Sequence, residues 1–357
     1  MAGAVDWALA QRVAVRIAGS DPFADSYHAA SLDRDFTELT EQAQTLVEGY
    51  TGWRSDAGDA RARVASRSDW IAANIASFQR MLRPLTDRFE EQTGAGLLAP
   101  IAGRIAGAEM GAILGWMSTR VLGQYDMLVL DDEPSDDQDV VYYVGPNILG
   151  LEKRFGFPPR EFRLWIALHE VTHRTQFTGV PWLRPYFLSQ VNQMLGMVDP
   201  DPAQLFRAIG RVAEALRTRT SPLADGGVVT LFANAEQRAT MDRMGGLMSL
   251  LEGHGDVTMD RAGGDRIPSA ERFGQVLRSR RQQAGGAARL LQKVVGLEAK
   301  MAQYEQGERF IERVEQAGGE RALDVAFSGA EFLPSLVEIR HPDAWLDRVG
   351  LAAAGAR

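Results

Sequence analysis

The sequence predicts a mainly α-helical fold with a small β-sheet, an α+β protein in which one helix carries a metal motif. Three observations lead there. Apolar residues recur at helical spacing along most of the 357 residues, the pattern of helices with one buried stripe. Between about residues 127 and 144 the period shortens to that of strands. The apolar run "WIALHEVTHRTQF", Trp165–Phe177, holds His169, Glu170 and His173 in the order H-E-x-x-H inside a helical pattern.

Each element follows in chain order. Residues 5 to 90 read as helices. "DWALAQRVAVRIAG" stops at Gly19, "SLDRDFTELTEQAQTLVEGYTG" begins with a Ser/Asp cap region and ends at glycine, and "SRSDWIAANIASFQRMLRPLTDRF" lines up Trp70, Ile71, Ile75, Phe78 and Met81. Gly103, Gly107, Gly111 and Gly115 recur every four residues, on one helix face. Glycine weakens a helix, so this stripe points to two backbones in close contact.

Met127–Leu130 and Val140–Val144 read as two strands separated by the acidic, solvated turn "DDEPSDDQD". Gly145-Pro146-Asn147 ends the second strand, and Pro158-Pro159 opens the motif helix, which Gly179 and Pro181 close. Further helices follow in "PWLRPYFLSQVNQML", "AQLFRAIGRVAEALRT" and the long "NAEQRATMDRMGGLMSLLEGHGDVTMDRAG". No repeat or linker divides the chain. The expectation is one unit over 1–357, with an N-terminal helical region over 1–120, a metal-site core over 121–265 with inserted helices about 180–235, and a C-terminal helical region over 266–357.

Composition narrows the functions. A net charge of −8 and a pI near 5.3 argue against a nucleic-acid binder. Cysteine is absent, so thiolate chemistry, disulfides and zinc–sulfur sites are excluded. "MAGAVDWALAQRVAVRIAG" lacks a basic leader pattern, and "GLLAPIAGRIAGAEMGAILGWM" is interrupted by Arg104 and Glu109. The expectation is a cytoplasmic protein with no membrane partner. The oligomeric state is not readable.

The motif has a physical logic. A helix turns about 100° per residue, so His169 and His173 project about 40° apart, one turn apart along the axis. Two imidazoles can then reach one ion, while Glu170 reaches a water beside it. Zn2+ accepts nitrogen and oxygen ligands and keeps an open position when catalytic. The chain has five histidines, which makes this spacing rare by chance. A third ligand must come from elsewhere. "LLEGHGD" offers Glu252, with Asp256 one turn on to accept an N–H from a ligand histidine and fix its tautomer. His254 is the alternative ligand if Gly253 and Gly255 break the helix. Glu252 lies 79 residues beyond His173, which implies the inserted segment.

Candidate donors to an oxyanion are Tyr304 in "QYEQGERF", His341 in "IRHPDAW" and Arg174. "VVYYVGPNI", which precedes the motif helix, is the candidate edge strand for an extended peptide or amide substrate. These residues point to a zinc-dependent hydrolase, a metallopeptidase with Glu170 as general base. The alternative is a non-catalytic, zinc-stabilised helical protein acting as an accessory or scaffold in a cofactor-related pathway. Against a nucleotide-binding role, no phosphate-cradling glycine loop follows a strand.

The segments "VDWALAQRVA", "SDWIAANIASFQRMLRPL", "STRVLGQYDMLVL", "YYVGPNI", "WIALHEVTHRTQF", "SLLEGHGDVTMD" and "KMAQYEQGERFIERV" together resemble the zincin-like metallopeptidases of actinobacteria labelled coenzyme F420 biosynthesis-associated. The resemblance spans nearly the whole chain; "LHEVTHRTQF" and "LLEGHGD" are its most specific segments. It implies a mostly helical zincin-like fold and hydrolase activity, while the deazaflavin label reflects genomic association and establishes no chemistry.

Overall fold

The computed structural model describes residues 5–24, 26–93, 99–127, 139–197, 235–282 and 297–351. It is mainly helical with one three-stranded sheet, as the sequence predicts. The chain packs as two compact units that are discontinuous in sequence, Met1–Val180 with Thr258–Gln283, and Pro181–Val257 with Ala284–Arg357. No helix among the described residues is long and apolar enough to cross a membrane.

The first unit opens with α1 (Trp7–Ala18), α2 (Tyr27–Thr51), β1 (Arg61–Ala65), α3 (Arg67–Thr93) and α4 (Ala99–Ser118). Asp6 caps α1 by accepting from the Leu9 N–H at 2.9 Å, and Gly19 ends it with φ +65°. The glycine stripe of α4 does what its spacing predicts. A Cβ at Gly107, Gly111 or Gly115 would strike the backbone carbonyl of Asp6, Ala10 or Ala14. Only bare backbone lets α1 and α4 approach this closely.

The sheet has the order β1-β3-β2, with β2 at Gly123–Tyr125 and β3 at Val140–Val144. β1 runs parallel to β3 and β2 antiparallel. All five β3 residues are buried, as a central strand covered on both faces requires. Past Met127, the strand expected at Met127–Leu130 and the acidic turn fall on residues 128–138, outside the described residues. Two other expectations are corrected. Residues 5–90 are interrupted by β1. β3 is the centre of the sheet, so it cannot be an edge strand; β2 is one.

Beyond β3 the chain turns straight into α5 (Gly145–Phe155), where the sequence reading placed only a strand end; Pro146 occupies its first turn, where the missing N–H is harmless. Then comes α6 (Pro159–Gly179), the motif helix, with the bounds its prolines and glycine predict. Its buried face carries Phe162, Leu164, Ile166, Leu168, Val171 and Phe177, each side chain contributing about 1.5–3 kcal/mol on burial. Two buried arginines pin it on either side of the motif. Arg163 donates to both Glu152 oxygens at 2.8 and 2.9 Å and to Asp35 at 2.5 Å. Arg174 donates to Asp139 at 2.6 Å and to the Gly58 carbonyl at 2.9 Å.

The second unit holds α7 (Leu183–Gly196), most of α8 (Ala235–Gly263), α10 (Leu297–Gly318), α11 (Leu336–Arg340) and α12 (Pro342–Arg348). The last turns of α8, from Thr258, and the helix α9 (Ala270–Gln282) belong to the first unit. Of the inserted helices expected at about 180–235, α7 is described, and 198–234 lie outside the described residues. Within the second unit α8 and α10 meet glycine on glycine, since a Cβ at Gly253 would sit 2.5 Å from the Gly307 carbonyl carbon.

Candidate metal centre

His169 and His173 lie one turn apart on α6, their Nε2 atoms 3.2 Å from each other and their rings nearly perpendicular at 88°. Two imidazole nitrogens cannot both aim lone pairs across so short a gap without repulsion. A proton or a cation between them removes it. The tautomer of His173 is fixed from behind. Its Nδ1 lies 3.0 Å from Gln176 Oε1, an atom that only accepts, so Nδ1 carries the proton and Nε2 is left for an ion. Gln176 is fully buried. Sequence reasoning missed it, although its position three residues after His173, on the same helix face, was the available signal.

Glu252, His254 and Asp256 all lie on α8, which runs unbroken from Ala235 to Gly263. Gly253 and Gly255 therefore do not free His254 from the helix. At about 100° per residue His254 points roughly opposite Glu252. Its ring stands 5.1 Å from that of Phe327, tilted against it in the core of the second unit. Glu252 is buried and Asp256 half-buried.

The side chains of ligating type are His169 and His173 in the first unit and the buried Glu252 in the second. Two imidazole nitrogens and one carboxylate oxygen suit a borderline cation such as zinc. The donor set fits the ion that the motif implies.

Glu170 is buried, 8% exposed, and lies against the edge strand β2. Opposite Gly123 in the sheet, Tyr143 shares a 2.7 Å hydrogen bond with Thr40. Burial pushes the Tyr143 hydroxyl well above the ordinary phenol range; the Thr40 bond opposes the rise and the nearby Glu170 charge adds to it.

The expected oxyanion donors are placed as follows. Arg174 is fully buried and committed to Asp139, which also accepts from the Tyr125 hydroxyl at 3.0 Å. That is the setting of an ion pair tying α6 to β2 and the start of β3. His341 is exposed, at the junction of α11 and α12. Tyr304 lies on α10, but its side chain is outside the described residues.

The fold is mainly helical, and one of its helices carries an H-E-x-x-H motif whose two imidazoles are spaced to reach one ion. The sequence profile of the zincin-like metallopeptidases matches residues 5–346, and the chain belongs to that family. It is also similar to a crystal structure, that of a presumed hydrolase with a novel fold from Chloroflexus aurantiacus. That protein is 29% identical, with a TM-score of 0.71 over 97% of this chain and 99% of the other. Comparison with curated proteins gives no match.

Proposed function

We propose that the chain is a zinc-dependent metallopeptidase that hydrolyses peptide or related amide bonds, with Glu170 as general base and His169, His173 and Glu252 as the zinc ligands. The observation that supports this reading is the pair of imidazoles one turn apart on α6, their Nε2 atoms 3.2 Å from each other, on a helix whose intervening glutamate is buried beside an edge strand.

When bound, zinc supplies a Lewis acid that polarises the scissile carbonyl and lowers the pKa of a water to about 7. The chain's own residues do the rest. The Glu170 carboxylate takes a proton from the attacking water as its oxygen adds to the carbonyl carbon. It then delivers that proton to the amine nitrogen as the C–N bond breaks. Gln176 holds His173 in the tautomer that leaves Nε2 toward the ion. Asp256 keeps the role of carboxylate acceptor for a ligand imidazole.

The edge strand β2 supports a site for extended substrate. The Val144 N–H donates to the Leu122 carbonyl at 2.8 Å, and the Asp126 N–H to the Val140 carbonyl at 3.0 Å. Those pairs alternate with the pair Gly123–Tyr143, so the Gly123 N–H and C=O point away from β3, along the outer side of the sheet. A substrate backbone adding there would run beside Glu170.

Glu170→Gln tests the reading. The variant is expected to bind zinc as the wild type does and to lose about 10²–10⁴-fold in kcat on a fluorogenic peptide library. Unchanged turnover would remove Glu170 from the chemistry.

A further inference from the structure

Gly123 stands in a strand where nothing in the backbone asks for glycine. Its φ is not among the positive values in the chain. Glycine weakens a strand, and where it persists another group often approaches closely. Here that group is Glu170. A Cβ built at position 123 would lie 2.5 Å from Glu170 Cγ, 2.8 Å from Cδ and 2.7 Å from Oε1. Real Cβ atoms essentially never come within 3.0 Å of another heavy atom. The hydrogen that replaces a side chain at 123 is thus the floor on which the glutamate rests. Tyr143, directly opposite Gly123 in the antiparallel register, presents its side chain on the same sheet face. Both residues form one surface under Glu170.

We infer that Gly123 is a positioning residue for Glu170: the missing side chain makes the space that holds the carboxylate against β2 and sets where its proton-accepting oxygen sits. The functional claim rests on Glu170 being the general base; the steric claim does not. Any larger residue at 123 must drive the Glu170 side chain away, because Gly123 is held to β3 through both its neighbours. The same glycine turns its N–H and C=O outward, so one residue spaces the base and offers backbone groups to substrate.

A double-mutant cycle on the full chain tests this. Gly123→Ala is expected to lower Tm by on the order of 3 °C in the wild-type background and by as much in Glu170→Gln, which keeps the size of the side chain. In Glu170→Ala, where the obstructing atoms are gone, the same substitution is expected to cost nothing. An equal loss in the Glu170→Ala background would overturn the inference, since the clash would then lie elsewhere. The cycle needs neither metal nor substrate, so it stands apart from the fate of the peptidase reading. If the wild type hydrolyses peptides, Gly123→Ala is further expected to keep its zinc and its KM while kcat falls about a hundredfold, the cost of a misplaced base.

Discussion

At the residue scale the centre depends on small numbers of atoms held in place. The His169 and His173 Nε2 atoms stand 3.2 Å apart, a gap that a shared proton or a cation bridges. Gln176 decides which His173 nitrogen faces it. Replacing Gln176 with Leu removes the acceptor that faces the His173 Nδ1–H. The expected result is a loss of about 10–100-fold in zinc affinity, measured by competition with a chromophoric chelator. Unchanged affinity would mean that another contact orients His173. His169 and His173 were legible as candidate ligands because identity and spacing on a helix fix their geometry, whereas the third ligand stayed open between Glu252 and His254. Gln176 and Gly123 were not singled out. Gln176 acts through a side-chain hydrogen bond whose only sequence signal is its spacing of three from His173, and Gly123 acts through the absence of a side chain, which leaves no spacing signature.

At the element scale, α6 is pinned by Arg163 on one side of the motif and Arg174 on the other. Both project within about 20° of each other over three turns. Arg174 is fully buried and its partner Asp139 nearly so, at 0% and 12% side-chain exposure. Arg174→Met would strand a carboxylate in the core and is expected to cost about 3–5 kcal/mol in urea unfolding. Arg174→Met combined with Asp139→Asn should recover some of that loss; no recovery would mean that the pair is not the source. The same scale shows what sequence could and could not give. α1 has an Asp6 cap and a glycine stop and α6 opens on proline, so they were readable, as was the long run of α8. β1 alternates arginine with Ala62 and Val64, and β2 is three residues long; neither carries a strand signal above its surroundings. α5 was hidden because its Gly145-Pro146-Asn147 start also spells a strand end. That Gly-Pro pair can stop one element and begin the next.

At the scale of the whole molecule, the two compact units are each assembled from separated stretches of chain, which a segment-by-segment reading cannot express. The motif helix lies in one stretch and Glu252 in another, 79 residues on. Family membership joins both stretches in one protein, and the proposed reading takes the third ligand from Glu252. An ion that binds the folded chain and not the unfolded one stabilises it by mass action. Chelation is therefore expected to lower Tm, and added zinc to restore it.

The most direct measurement of the central claim is metal content, taken on the wild type beside Glu252→Ala and His254→Ala. The account predicts about one zinc per chain in the wild type and in His254→Ala, and its loss in Glu252→Ala. A wild type that neither carries zinc nor takes it up on titration would contradict it, as would zinc that survives in Glu252→Ala and disappears in His254→Ala.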